Sequence, residues 1–132
     1  MRHQPIVLVA DDDESIIFAF KEFFRKEHWT MMAASNAEDA LTIIADRPLD
    51  LLITDVLMKA QSGVTLMLKA RHSHPGLPVI VITGHPDAIS EADIRLYGAD
   101  FVFVKPLDLV SLREAINDCL HRSAHRPNGS NP

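Results

Sequence analysis

The chain has 132 residues, 47% hydrophobic and 23% charged; this suits one globular domain and excludes a disordered, collagen-like or disulfide-stapled chain. Thirteen Lys and Arg against eighteen Asp and Glu leave a formal net charge of -5, so direct nucleic-acid binding through a broad basic surface is not expected. The single Cys119 cannot close an intrachain disulfide, which fits a reducing compartment; no apolar run approaches the roughly twenty residues of a bilayer span and no secretory signal is legible, so a cytoplasmic protein without membrane association is expected.

Ile6 to Ala10 is a continuous aliphatic run that reads as a strand, followed at once by Asp11, Asp12 and Asp13. Ile16, Ile17, Phe20, Phe23 and Phe24 then mark one face of a first helix. Trp29 to Ala33 is a weaker strand, expected near a sheet edge. Ser35-Asn36-Ala37-Glu38 reads as a capping box opening a second helix that buries Ala40, Leu41 and Ile44. Leu51 to Thr54 is the next strand. Val64, Leu66, Met67 and Ala70 predict a third helix, stopped by His74-Pro75-Gly76. The strand Val79 to Thr83 leads to a fourth helix from about Asp87 to Tyr97, with Gly98 as its stop. After the strand Phe101 to Val104, Asp108 caps a fifth helix that buries Leu112, Ala115, Ile116, Cys119 and Leu120. The domain is expected to occupy residues 1–122, with a flexible tail over 123–132.

Continuous rather than alternating hydrophobicity means that both faces of the strands are covered, as in a parallel sheet. Five strands alternating with five helices give an α/β, doubly wound arrangement through right-handed crossovers. Ligands of such sheets bind beyond the carboxyl ends of the strands. There the sequence places Asp11, Asp12 and Asp13 after the first strand, Asp55 after the third, Thr83 at the end of the fourth, and Lys105 followed by Pro106 after the fifth.

Carboxylates converging beside a low-dielectric core repel one another and need a counter-charge. Oxygen ligands in a small cluster suit Mg²⁺ (or Mn²⁺), which keeps waters and admits phosphate oxygens to its shell. A metal, a lysine and a hydroxyl around one carboxylate make a phosphoryl-transfer site in which that carboxylate is the nucleophile. Asp55 is the best candidate, since it stands alone at a central strand end.

These residues resemble the receiver domains of two-component response regulators, of the chemotaxis-regulator type. The resemblance lies in Val9-Ala10-Asp11-Asp12-Asp13-Glu14, Asp50 to Met58, Val79 to His85, and Gly98 to Pro106, four segments in order over roughly residues 5 to 122. It implies a flavodoxin-like (βα)5 fold with strand order 2-1-3-4-5. It implies that Asp55 accepts a phosphoryl group from a sensor histidine kinase or a histidine phosphotransfer protein. Asp12 would bind the metal directly and Asp11 mainly through water, with Asp55 and the backbone carbonyl of Leu57 completing the protein ligands. Thr83 would hydrogen-bond one phosphoryl oxygen and Lys105 would contact another, and the Lys105–Pro106 bond is expected to be cis. The surface of the fourth helix, fifth strand and fifth helix would then change to regulate a partner or output domain. Many relatives dimerise through that surface, so a homodimer is compatible with the resemblance. Such a protein is a phosphoacceptor regulator rather than an enzyme.

The sequence departs from the family twice. Met58 is followed by Lys59 where the family usually has proline, so the loop is expected to be intact, with Gly63 retained, but more mobile. Val102 stands where the family has an aromatic switch residue. Other classes of function compete with this reading. A receiver that is never phosphorylated would act as a constitutive interaction module. A Mg²⁺-dependent aspartyl-phosphate hydrolase would want a second acid at position 57, which is Leu. The phenylalanines at 18, 20, 23 and 24 read as core. His72 with His74, and His121 with His125, read as surface histidines rather than zinc ligands.

Overall fold

The computed structural model describes residues 4–58, 61–84 and 91–125. In chain order the elements are β1 (Ile6–Ala10), α1 (Glu14–Glu27), β2 (Thr30–Ala34), α2 (Ala37–Asp46), β3 (Leu51–Asp55), β4 (Leu57–Met58), β5 (Gln61–Ser62), α3 (Gly63–Ser73), β6 (Val79–Thr83), α4 (Glu91–Leu96), β7 (Phe101–Val104) and α5 (Leu109–Ser123). Strands β2-β1-β3-β6-β7 form one sheet in that order, with every pairing parallel. Counted within this sheet alone, the order is the expected 2-1-3-4-5. The short β4 and β5 form a separate antiparallel pair.

The strands explain the core directly, because successive side chains point to opposite faces. Leu8, Leu52, Val81 and Val102 face one way and pack with Ala40 and Ile44 of α2, Leu66, Met67 and Ala70 of α3, and Ile94 of α4. Val7, Val9, Ile53, Ile80 and Ile82 face the other way and pack with Phe20 and Phe24 of α1 and Leu112, Ile116 and Cys119 of α5. Every residue of β3 and of β6 is buried. Two covered faces are what the continuous apolar runs required.

Several boundaries differ from expectation for local reasons. The edge strand β2 begins at Thr30, not Trp29. His28 takes the left-handed conformation (φ 61°) at the end of α1, and the Trp29 N–H donates to the Phe24 carbonyl. Trp29 thus belongs to the helix exit, and its ring meets Phe23 and Phe24 edge-on. Helix α2 is capped by Asn36, not by the Ser35–Glu38 box: the Asn36 Oδ1 accepts the Asp39 N–H, and its amide donates back to the Asp39 carboxylate. Helix α5 runs through Ser123, which is buried and donates to the Asp50 carboxylate, so it packs with the domain. Phe18 is 67% exposed and is not core. His74 is more than a surface histidine, since its Nε2 meets the Ile44 carbonyl at 2.8 Å and ties α3 to α2. The expected helix start at Asp87, the Lys59 departure and the tail residues 126–132 lie outside the described residues. No helix among the described residues is long and apolar enough to cross a membrane.

Candidate functional site

Sheet register assembles the site. Ala10 lies opposite Thr54, so the next residues, Asp11 and Asp55, leave adjacent strands side by side. Asp55 lies opposite Ile82, which sets Thr83 one step beyond it on the next strand. Thr83 lies opposite Val104, and the Lys105 N–H donates to the Thr83 carbonyl at 2.8 Å. Four strand ends thereby deliver Asp11, Asp55, Thr83 and Lys105 to one rim. The first three are buried, and the Lys105–Pro106 bond is cis as expected.

Local hydrogen bonds hold the acidic side of the rim. Asp13 caps α1, accepting the Ser15 N–H at 2.9 Å and the Ser15 hydroxyl at 2.6 Å. The same turn aims the Asp13 N–H at Asp11 Oδ1, 2.9 Å away. On the other side, the Leu57 N–H donates to Asp55 Oδ1 at 3.3 Å and the Thr54 hydroxyl to the Asp55 carbonyl at 2.9 Å. Gly63 backs directly onto that carbonyl, and a Cβ there would overlap it. This is why a glycine is retained at the start of α3. Gly84 makes a smaller allowance, since a Cβ on it would crowd the Lys105 stem at 3.3 Å. Sequence reading identified the four rim side chains but not the supporting parts played by Asp13, Thr54 and Gly84. The N-cap preference of Asp was the available signal for the first of these.

The electrostatics follow from burial and proximity. The Lys105 ammonium lies 3.3 Å from Asp11 Oδ2 and 3.5 Å from Asp55 Oδ2. Burial pushes the Asp11 carboxyl above the usual carboxylate range against the opposing Asp13 N–H, and the Asp55 charge adds to the push. Burial also works against the Lys105 ammonium, but the two carboxylates outweigh it and hold that pKa above its ordinary value. Despite the nearby ammonium, Asp11 Oδ2 is a buried oxygen with no hydrogen-bond partner among the described residues. Asp11, Asp12 and Asp55 each offer one oxygen, all within 4.8 Å of one another, a spacing at which one cation could be shared.

The other sequence candidates do not join this rim. The His121 and His125 rings contact each other, with centroids 4.7 Å apart. Cys119 is buried, and burial is the chief cause that pushes its thiol up to about 12, which disfavours the thiolate at neutral pH.

The family model described as the response regulator receiver domain matches residues 7–117. The chain belongs to that family. Receiver domains are in general signalling switches rather than enzymes. Among curated relatives, the chain is 30% identical to the transcriptional regulatory protein GlrR of Escherichia coli over 94% of its own length and 28% of the relative's. It is 31% identical to the DNA-binding transcriptional regulator NtrC of Salmonella typhimurium over 79% of its length and 22% of the relative's. It therefore spans about a quarter of these regulators. Among solved structures, a response regulator receiver protein from Pseudomonas putida superposes with a TM-score of 0.81 at 29% identity, covering 89% of this chain and 99% of that one.

Proposed function

We propose that this receiver domain is a phosphorylation-controlled switch whose Asp55 carboxylate takes a phosphoryl group from a phosphohistidine in a Mg²⁺-dependent reaction. The observation that carries this reading is the cluster of three carboxylates within 4.8 Å of one another, in which the buried Asp11 Oδ2 accepts no hydrogen bond and has the Lys105 ammonium beside it at 3.3 Å. Three carboxylates beside the Lys105 ammonium leave negative charge that one lysine does not offset, and this calls for a further cation. Hard oxygen donors at this spacing fit Mg²⁺ or Mn²⁺. Asp11, Asp12, Asp55 and the backbone carbonyl of Leu57 are the residues that would hold it. When bound, the ion supplies positive charge that screens the carboxylates from one another and from incoming phosphoryl oxygens.

The chain's own groups do the rest. An Asp55 oxygen forms the new O–P bond as the donor's P–N bond breaks, and the imidazole leaves with a proton taken up from solvent. Lys105, already paired with Asp55, pairs with a phosphoryl oxygen, and the Thr83 hydroxyl donates to another. The modification adds roughly 1.5 to 2 negative charges. Its contacts with Thr83 and Lys105 shift an existing equilibrium between two packings of α4, β7 and α5. The phosphodonor is a sensor histidine kinase or a histidine phosphotransfer protein, in the cytoplasm. The target is a partner or an output domain. DNA-binding relatives suggest a transcriptional output made by a part other than this acidic domain, and the switching face is where a homodimer would form.

Intact-mass analysis after incubation with acetyl phosphate and Mg²⁺ tests this. One phosphoryl adduct is expected, absent in Asp55→Ala and absent with excess chelator. No adduct, even from a phosphohistidine protein, would instead favour a constitutive interaction module. Rapid turnover of a small phosphomonoester would favour a hydrolase.

A further inference from the structure

The residue on β7 that faces α4 is Val102, buried in the same cluster as Ile94 and Ala99. A valine has one strongly restricted side-chain torsion and no ring to carry between buried and exposed positions. The neighbouring Phe101 and Phe103 pack on the opposite face, with α1 and α5. A signal passing from the rim to the α4 side of β7 therefore has to move backbone, not an aromatic rotamer. Helix α4 is suited to move. Among its described side chains only Ile94 is buried, while Leu96 and the following Tyr97 are 84% and 51% exposed. Few buried apolar contacts mark an element of low local stability.

One end of this helix is tied down. The guanidinium of Arg71, on α3, donates through Nε to the Leu77 carbonyl at 3.0 Å, through one terminal nitrogen to the Gly98 carbonyl just past α4, and through the other to Asp100 at 2.9 Å. Gly98 has φ 112°, and a Cβ there would collide with the guanidinium. Asp100 also accepts the Val79 N–H at 2.8 Å and Arg122 of α5 at 3.1 Å. The knot thus joins α3, the start of β6, the exit of α4, the start of β7 and α5. We infer that Arg71 is the positioning residue of the switch: it pins the C-terminal end of α4, so that α4 answers the rim by pivoting at Gly98. This rests on the phosphorylation reading above and names the moving part.

Hydrogen exchange with mass-spectrometric readout tests the inference in the full chain. The Tyr97, Gly98 and Ala99 amides, which bond to Asp93, Arg95 and Ile94, are the reporters, and β3 amides are the control. In Arg71→Gln the reporters should exchange at least roughly ten-fold faster, with β3 amides and the yield of phosphorylated protein unchanged. Acetyl phosphate should speed the reporters in the wild type and add little in the variant. Arg71→Lys, which keeps the charge but not the fork, should fall between the two and serves if the glutamine variant does not fold. Arg122→Gln, which removes a partner of Asp100 without touching α4, should leave the reporters unchanged. Equal acceleration of reporters and β3, equal effects of the Arg71 and Arg122 variants, or unchanged reporters in a phosphorylatable Arg71→Gln would each overturn the inference. Wild-type protein that takes no phosphoryl group would instead overturn the reading beneath it.

Discussion

Lys105 shows how one side chain serves two partners. Its ammonium sits within 3.5 Å of carboxylates from two different strand ends, offsetting a repulsion that burial would otherwise magnify. Removing it leaves the oxygen ligands in place. Lys105→Ala is therefore expected to keep Mn²⁺ binding, followed by electron paramagnetic resonance titration, while losing the phosphorylation-dependent exchange change in α4. Full response in that variant would count against its role. The convergence of Asp11, Asp12 and Asp55 was legible because each follows an apolar run that ends at the rim. That one Asp11 oxygen takes a hydrogen bond from Asp13 while the other faces the Lys105 ammonium without one was not, since it depends on where the Asp13 N–H and the Lys105 ammonium point.

Among the elements, the strands were the most legible and the helix ends the least. Capping is decided by one torsion and one hydrogen bond, and Ser35 and Asn36 are both good cap residues. The structure chose Asn36, whose backbone is extended and whose amide is answered by Asp39. Asn36→Ala should therefore lower stability by about 1 kcal/mol in urea unfolding, and Ser35→Ala by much less. The α5 cap carries a pH signature. The Ser111 hydroxyl, with the Ser111 and Val110 amides, holds the Asp108 carboxyl below the usual range. The unfolded chain takes up this proton first on acidification, so the contribution is complete above the ordinary carboxylate pKa and is lost as pH falls through the lowered one. Asp108→Asn keeps a cap acceptor but does not titrate. The difference in urea midpoint between it and the wild type should change between about pH 5 and pH 2 and be constant above. A difference independent of pH would show that the carboxylate charge is not the source.

The whole molecule is a sheet with a separate apolar layer on each face, and β3 contributes to both. Leu52 packs toward α2 and α3, and Ile53 toward α1 and α5; both are fully buried. Leu52→Ala should cost about 2–5 kcal/mol, a large part of the 5–15 kcal/mol typical of a domain. Chemical denaturation would show this as a lower midpoint with little change of slope. The sequence by itself determined the alternation of strands and helices, the two covered faces and the set of strand-end polar residues, because hydrophobic periodicity is local and parallel strands end on one rim. Only the tertiary structure decided the Arg71–Gly98–Asp100 knot, the tie of Ser123 to Asp50 and the pairing of Lys105 with Asp11. Each joins residues far apart in the chain through side-chain directions, which packing sets and no local pattern encodes.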